Sequence, residues 1–210
     1  MKRFPRVLVG AMAAAACTAT LSGTAGATSP AAGAAVPAWA ADAPAPLPGF
    51  QLILPGSPAA AAARTALETF RFKNRHSNLC LEIRGDSTAD GATANQWTCN
   101  GSATQAWISG SNANGGFKFT NVNSGKCLEI RGDSTANGAT ANQWTCNGSK
   151  TQGWYWYGNS DGSMYFRNVN SVSSSPSGKC LEILSWRTGD GDPAGQWDCH
   201  YGYNQLWFEA

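Results

Sequence analysis

CLEIRGDSTADGATANQWTCNGSATQAW, residues 80–107, returns as CLEIRGDSTANGATANQWTCNGSKTQGW over residues 127–154. Only three positions differ: Asp90, Ala103 and Ala106 become Asn137, Lys150 and Gly153. A diverged third copy, CLEILSWRTGDGDPAGQWDCHYGYNQLW, fills residues 180–207. In every copy the cysteines stand 19 positions apart, and a tryptophan closes the unit eight residues after the second. Repetition at a fixed period dictates architecture before any local reading does. Working outward, each unit gives four short strand signals, in the first copy over residues 70–74, 79–83, 94–99 and 105–109. They are separated by turn-rich runs such as GDSTADGAT. The period is 47 from Cys80 to Cys127 and 53 from Cys127 to Cys180, the six extra residues being the serine-rich insertion VSSSPS, residues 172–177. A surface loop absorbs such an insertion at little cost. Twelve short strands in three equal sets, with no helical periodicity, predict an all-β, pseudo-symmetric closed architecture.

Six of the seven cysteines belong to the repeats, two in each, and the seventh, Cys17, lies near the N-terminus. An even set predicts a disulfide framework and an oxidising compartment. Six cysteines allow 15 pairings. Threefold repetition favours the pairings within each repeat, Cys80–Cys99, Cys127–Cys146 and Cys180–Cys199. Each would close a loop of about 20 residues, contributing roughly 3 kcal/mol. Neither a metal nor another cofactor is expected, since there is no C-x-x-C and the only histidines are His76 and His200.

Residues 1–27 read as a secretory signal: Lys2, Arg3 and Arg6, an apolar run, then Ala25-Gly26-Ala27. The run is too short for a membrane span. Association with a membrane is expected only if Cys17 carries a lipid, and Ala38-Trp39-Ala40 offers a second cleavage site. Residues 28–67, rich in Ala and Pro, are expected to be a disordered linker. Within them Phe50-Gln51-Leu52-Ile53-Leu54 is an apolar patch that either docks on the domain or remains a sticky piece of tail. The folded domain is expected over residues 68–210, with repeats at about 68–114, 115–162 and 163–210. Without the leader's basic residues the chain holds 12 basic against 13 acidic groups. That balance argues against nucleic acid, whose proteins cluster Lys and Arg to displace counterions.

The pattern Cys-Leu-acidic-Ile, Gln-Trp-x-Cys, Gln-x-Trp, three times in register, resembles the ricin B-type β-trefoil lectins, and in particular secreted bacterial carbohydrate-binding modules. The resemblance implies a six-stranded barrel capped by three hairpins, with one sugar pocket per repeat. It assigns hydroxyl acceptance to Glu82, Glu129 and Glu182, ring stacking to Trp97, Trp144 and Trp197, and positioning of the acid to Gln105, Gln152 and Gln205. Asn204 alone matches the family's sugar-bonding Asn, where Thr104 and Thr151 stand in the other repeats. His200, with Tyr201 or Tyr203, would line the third pocket. A flat indole against C–H faces and planar polar groups reading hydroxyl directions are the devices that bind polyols. The three Glu stand where the family usually has Asp, so each carboxylate must sit deeper or turn aside.

Each of these residues also has a structural reading. Trp97, Trp144 and Trp197 would serve as lids, and the Glu residues would tie turns to backbone amides. Trp107, Trp154 and Trp207 are expected in the core. Arg84-Gly85-Asp86 and its copy read as a duplicated turn, and Asn100-Gly101-Ser102 and its copy as glycosylation sequons only in a eukaryotic host. The expected protein is a secreted, extracellular, monomeric, non-enzymatic lectin whose partner is carbohydrate. The alternative is an interaction scaffold or protease inhibitor on the same fold, working through the 171–177 loop or the patch at Phe50. Catalysis by paired carboxylates is disfavoured by their spread, one per repeat.

Overall fold

A computed structural model describes residues 36–55, 69–175 and 177–210; the leader expected over 1–27 lies outside them. Among the described residues the chain forms fourteen antiparallel strands and no α-helix. The barrel strands are β2 (Thr69–Phe70) with β3 (Phe72–Asn74), β6 (Trp107–Ser111), β7 (Phe117–Asn121), β10 (Trp154–Asn159), β11 (Met164–Asn168) and β14 (Trp207–Glu209). β2 and β3, interrupted only at Arg71, pair with β6 and β14 respectively and so close the ring. The three caps are the hairpins β4–β5 (Cys80–Ile83 with Ala94–Trp97), β8–β9 (Cys127–Ile130 with Ala141–Trp144) and β12–β13 (Lys179–Ile183 with Ala194–Asp198). This is a β-trefoil. Alternation along β7 (Phe117, Phe119 and Asn121 in, Lys118 and Thr120 out) illustrates how a period of two fills the barrel.

The core repeats the threefold pattern. Trp107, Trp154 and Trp207 are fully buried, and each indole donates to the carbonyl of Leu81, Leu128 or Leu181 at 3.1–3.3 Å. Phe72, Phe119 and Phe166 meet edge-on at 4.9–5.1 Å, the offset geometry that aromatic quadrupoles prefer. All three expected disulfides are present, with Cα separations of 5.0–5.1 Å.

Gln96, Gln143 and Gln196, each before a hairpin tryptophan, are wholly buried and staple the repeats in a circle. Gln96 donates to Arg187 and Gly189, Gln143 to Ser87 and Ala89, and Gln196 to Ser134 and Ala136, all backbone carbonyls at 2.8–3.1 Å. A buried amide so placed satisfies turn carbonyls that an apolar side chain would leave unpaired.

The linker reading fails for residues 36–55. Here a strap crosses the domain, with a 3-10 turn over Ala38–Ala41 and a strand, β1 (Phe50–Ile53), paired with β10. Ile53 packs on the barrel core, whereas Trp39, Leu47, Phe50 and Leu52 pack on Tyr155, Tyr157 and Tyr165. Three polar groups of the domain fasten its backbone. Tyr157 donates to Pro44 at 2.7 Å, the Leu47 amide donates to Tyr165 at 3.2 Å, and Arg167 donates to Ala45 at 3.1 Å. Arg167 is buried with no carboxylate partner among the described residues; its guanidinium lies 4.8–5.7 Å from the rings of Tyr157, Tyr165 and Tyr201, a cation–π cage. The patch at Phe50 is therefore spent on the protein's own domain, and the scaffold alternative loses that surface.

Candidate functional site

Each capping hairpin carries the same small machine. In register, Cys80 faces Trp97 and Glu82 faces Asn95; Cys127 faces Trp144 and Glu129 faces Asn142. The tryptophans leave the barrel: Trp97, Trp144 and Trp197 are 42%, 43% and 43% exposed. Behind each lies a glycine of another repeat, whose Cβ, if present, would touch the indole: Gly191 for Trp97, Gly91 for Trp144 and Gly138 for Trp197, at 3.6–3.7 Å. The indoles are thus platforms, braced from one side and open on the other.

The carboxylates sit at the floor. Glu82, Glu129 and Glu182 are only 7%, 8% and 3% exposed, the deeper seat expected of the longer side chain. In the first repeat one oxygen accepts from Asn95 and the other from Gln105, both at 3.2 Å. Asn142 and Gln152 repeat this around Glu129. Around Glu182, Gln205 donates at 2.8 Å and His200 Nε2 lies at 3.3 Å. Burial is the main force on all three acids and pushes each above the ordinary value of 4.5; the amide hydrogen bonds pull the other way. Neighbouring Asp86 and Asp133 add to the rise at Glu82 and Glu129.

Floor and platform share a cavity in every repeat. The first, of about 500 Å³, is lined by Glu82, Arg84, Asp86, Trp97, Asn100 and Thr104, among others. The second, of about 440 Å³, has Glu129, Arg131, Asp133, Trp144, Asn147 and Thr151 in the same places. The third, of about 270 Å³, is lined by Glu182, Ser185, Trp186, Trp197 and His200. Each offers a flat apolar face and a fixed acceptor; the first two add several amide and hydroxyl groups, the third only the Ser185 hydroxyl and the His200 ring. That set suits a polyol.

Gln105, Gln152 and Gln205 are fully buried and reach no cavity wall. Each holds its Glu with Nε2 while Oε1 accepts the amide of Asn100, Asn147 or His200 at 2.9 Å. They position the acid. Asn204 departs from the expectation: it is buried and donates to Ile183 at 3.2 Å, and it does not line the third cavity. Tyr201 and Tyr203 also face elsewhere, Tyr201 toward Arg167 and Tyr203 beneath Arg75 at 4.4 Å. Sequence reasoning missed Asn95, Asn142, Trp186, Arg84, Arg131, Asp86 and Asp133. The Arg-Gly-Asp tripeptide is in fact a cavity rim, with Arg84 donating to Gly191 and Arg131 to Gly91. The signal lay in position: these residues occupy matching columns between Glu and Trp.

Residues 68–171 match the family model described as the ricin-type beta-trefoil lectin domain. Those residues are a ricin-type beta-trefoil lectin domain. Among solved structures, this ricin-type domain is similar to the designed threefold-symmetric protein ThreeFoil, at 29% identity and a TM-score of 0.62 over 68% of this chain and 97% of that one. An exo-beta-1,3-galactanase from Clostridium thermocellum gives 29% identity and 0.63, over 70% of this chain but only 30% of the enzyme. The Macrolepiota procera ricin B-like lectin, crystallised with lactose, gives 15% and 0.56 over 70% and 96%, a likeness of fold alone. No curated protein matches the chain by sequence.

Proposed function

We propose that this protein is a secreted, multivalent, non-catalytic lectin binding one glycan segment in each of its three hairpin cavities. The observation that carries the reading is the threefold recurrence of a half-exposed indole and a buried, doubly tethered carboxylate on one cavity. In the first two repeats an amide donor holds each carboxylate oxygen, which leaves a remaining lone pair aimed at a ligand hydroxyl. An acid locked this way serves as a fixed acceptor; a general acid–base group instead exchanges its proton with substrate. Disulfides in every repeat and the basic-then-apolar leader support an extracellular site of action. Open cavities of this size give weak individual sites, with Kd near 1 mM, about −4 kcal/mol. Useful affinity then comes from several cavities engaging one polymer.

The test is calorimetric titration and a glycan array, starting with lactose and a β-1,3-galactan, because of two proteins similar in fold one is in complex with lactose and the other is named a beta-1,3-galactanase. A triple variant, Trp97→Ala, Trp144→Ala and Trp197→Ala, should melt like the parent and lose binding. Silence of the parent across the array, or a triple variant that binds equally well, ends the proposal. Release of reducing sugar from the polysaccharide would overturn the non-catalytic part alone.

A further inference from the structure

The third cavity is not a smaller copy of the others. In the first two, part of the wall comes from the loop after the second cysteine: Asn100, Ser102 and Thr104, or Asn147, Ser149 and Thr151. The corresponding residues of the third repeat are His200, Gly202 and Asn204, and only His200 reaches the cavity. Trp186 stands in their place, 48% exposed.

Four observations show that this indole is seated by design of the chain around it. It stacks on the His200 ring at 5.7 Å and 19°, and the His76 ring meets it edge-on at 5.2 Å. A Cβ on Gly202 would lie 2.3 Å from its ring, so the serine of the other repeats could not stand there with the indole in this position. Ser185 and Trp186 hold left-handed backbone, φ 60° and 56°, where the first two repeats have Gly-Asp at nearly the same angles. A bulky aromatic in that region is strained and persists only when its surroundings fix it. Finally, the cavity shrinks to about 270 Å³ from about 440 and 500 Å³.

We infer that Trp186 fills the polar half of the third cavity, making it a site for a single pyranose ring, whereas the first and second cavities each take two linked rings. This rests on the carbohydrate reading above. A second ring in the first two cavities finds Asn, Ser and Thr side chains for its hydroxyls. In the third it would press several hydroxyls against an indole that offers one donor, its Nε1–H, and no acceptor, and an unmet buried polar group is costly.

The experiment follows the indole N–H resonances of Trp97, Trp144 and Trp197 separately by NMR, assigned through Trp→Phe variants. The probes are the pairs galactose and lactose, and glucose and cellobiose. In at least one pair the first and second cavities should bind the disaccharide about tenfold more tightly than the monosaccharide, and the third should bind both within about twofold. Trp186→Asp should raise the third cavity's ratio toward that of its neighbours. Asp86 and Asp133 already occupy this backbone conformation, so the variant should fold, and Trp186→Gly, which relieves the strain, should act in the same direction. Equal ratios in all three wild-type cavities, or a third ratio that neither variant moves, overturn the inference while leaving the lectin reading intact. No response at any of the three indoles removes both.

Discussion

Asn137 stands where the first repeat has Asp90, and the difference can be turned into a measurement. Asp90 accepts from the Thr145 amide at 2.7 Å and from its hydroxyl, with Lys126 at 2.8 Å. The next contact around the ring joins Asn137 to Asp198, because the third repeat has Asp where the others have Thr98 and Thr145. There Asn137 Nδ2 donates to Asp198 Oδ2 at 2.6 Å, and its Oδ1 accepts from the Asp198 amide and from Lys179 at 2.8 and 2.9 Å. Asn137→Asp would set two carboxylate oxygens about 2.6 Å apart in place of that hydrogen bond. Lys179 is nearly buried and ion-pairs with Asp198 at 2.8 Å, so it offsets part of the repulsion; Asp198 is half-exposed, so solvent screens more. The net loss should be about 1–2 kcal/mol at pH 7 and low salt, roughly 2–8 °C in Tm for a domain of this size. The loss should shrink in 1 M NaCl, and again below the carboxylate range as the added acid protonates. Adding Asp198→Thr recreates the Asp–Thr pairing of the other contacts, so the double variant should recover most of the loss. Differential scanning calorimetry of the four proteins closes the cycle. A single variant as stable as the parent, or a double variant no better than the single, refutes the assignment.

Phe50→Ala should cost about 2 kcal/mol, from a half-buried ring and its edge contact with Tyr165 at 4.9 Å, with glycan binding unchanged. A Tm within 1 °C of the parent would mean the strap leaves the domain in solution. Replacing Cys127 and Cys146 together by Ala opens a closed loop of sequence separation 19 and should lower stability by about 3 kcal/mol in denaturant titration. Gln152→Leu removes donors to Glu129 and Thr145 and the acceptor of the Asn147 amide; about 2–4 kcal/mol of stability and the second cavity's sugar response should go, with the Trp97 response retained. Thermal melts against pH should peak between about 3.8 and 4.5. The three buried Glu residues, raised above 4.5, contribute fully below that value and lose their contribution as pH rises through their folded values. Asp90, Asp161 and Asp198, held below 3.8 chiefly by Lys126, Ser163 and Asn137, contribute above that value and lose it only in stronger acid. A melting curve that rises steadily from pH 4.5 to 7 would contradict this balance.

The repeat made the threefold all-β architecture and the disulfides legible, because each is a short-range pattern written three times; the barrel, the caps and the Glu–Trp pairing were implied by the family resemblance that the same pattern carries. The strap was not legible, for a physical reason. Its apolar core spans only residues 50–54, and the groups that fasten it, Tyr157, Tyr165 and Arg167, lie more than a hundred residues away in sequence. Nothing local distinguishes a strand that completes another sheet's edge from a sticky tail. The cavity rim was hidden differently. Arg84, Asp86 and Asn100 look like turn residues in sequence, and they are turn residues; only the hairpin's register brings them beside Trp97.

Asn204 was misjudged because the third repeat moves its supports. At the place of Asn95 and Asn142 it has Gly195, where a Cβ would lie 2.6 Å from the Ala139 carbonyl and 2.9 Å from Leu184. Leu184 itself replaces the rim arginine of the other repeats. The amide that tethers Glu82 and Glu129 is therefore lost, and a different neighbour stands in: His200 Nε2 approaches the Glu182 oxygen that Gln205 also holds, while Asn204 donates to the Ile183 carbonyl. Arg, Asn and Thr become Leu, Gly and Asn together, and the carboxylate remains in its seat with Gln205 still donating to it. Side chains that merely filled space around a turn would have no need to vary in concert about one charge. What the diverged repeat preserves is a buried acceptor beside an open indole, and that pair is what a sugar ring requires.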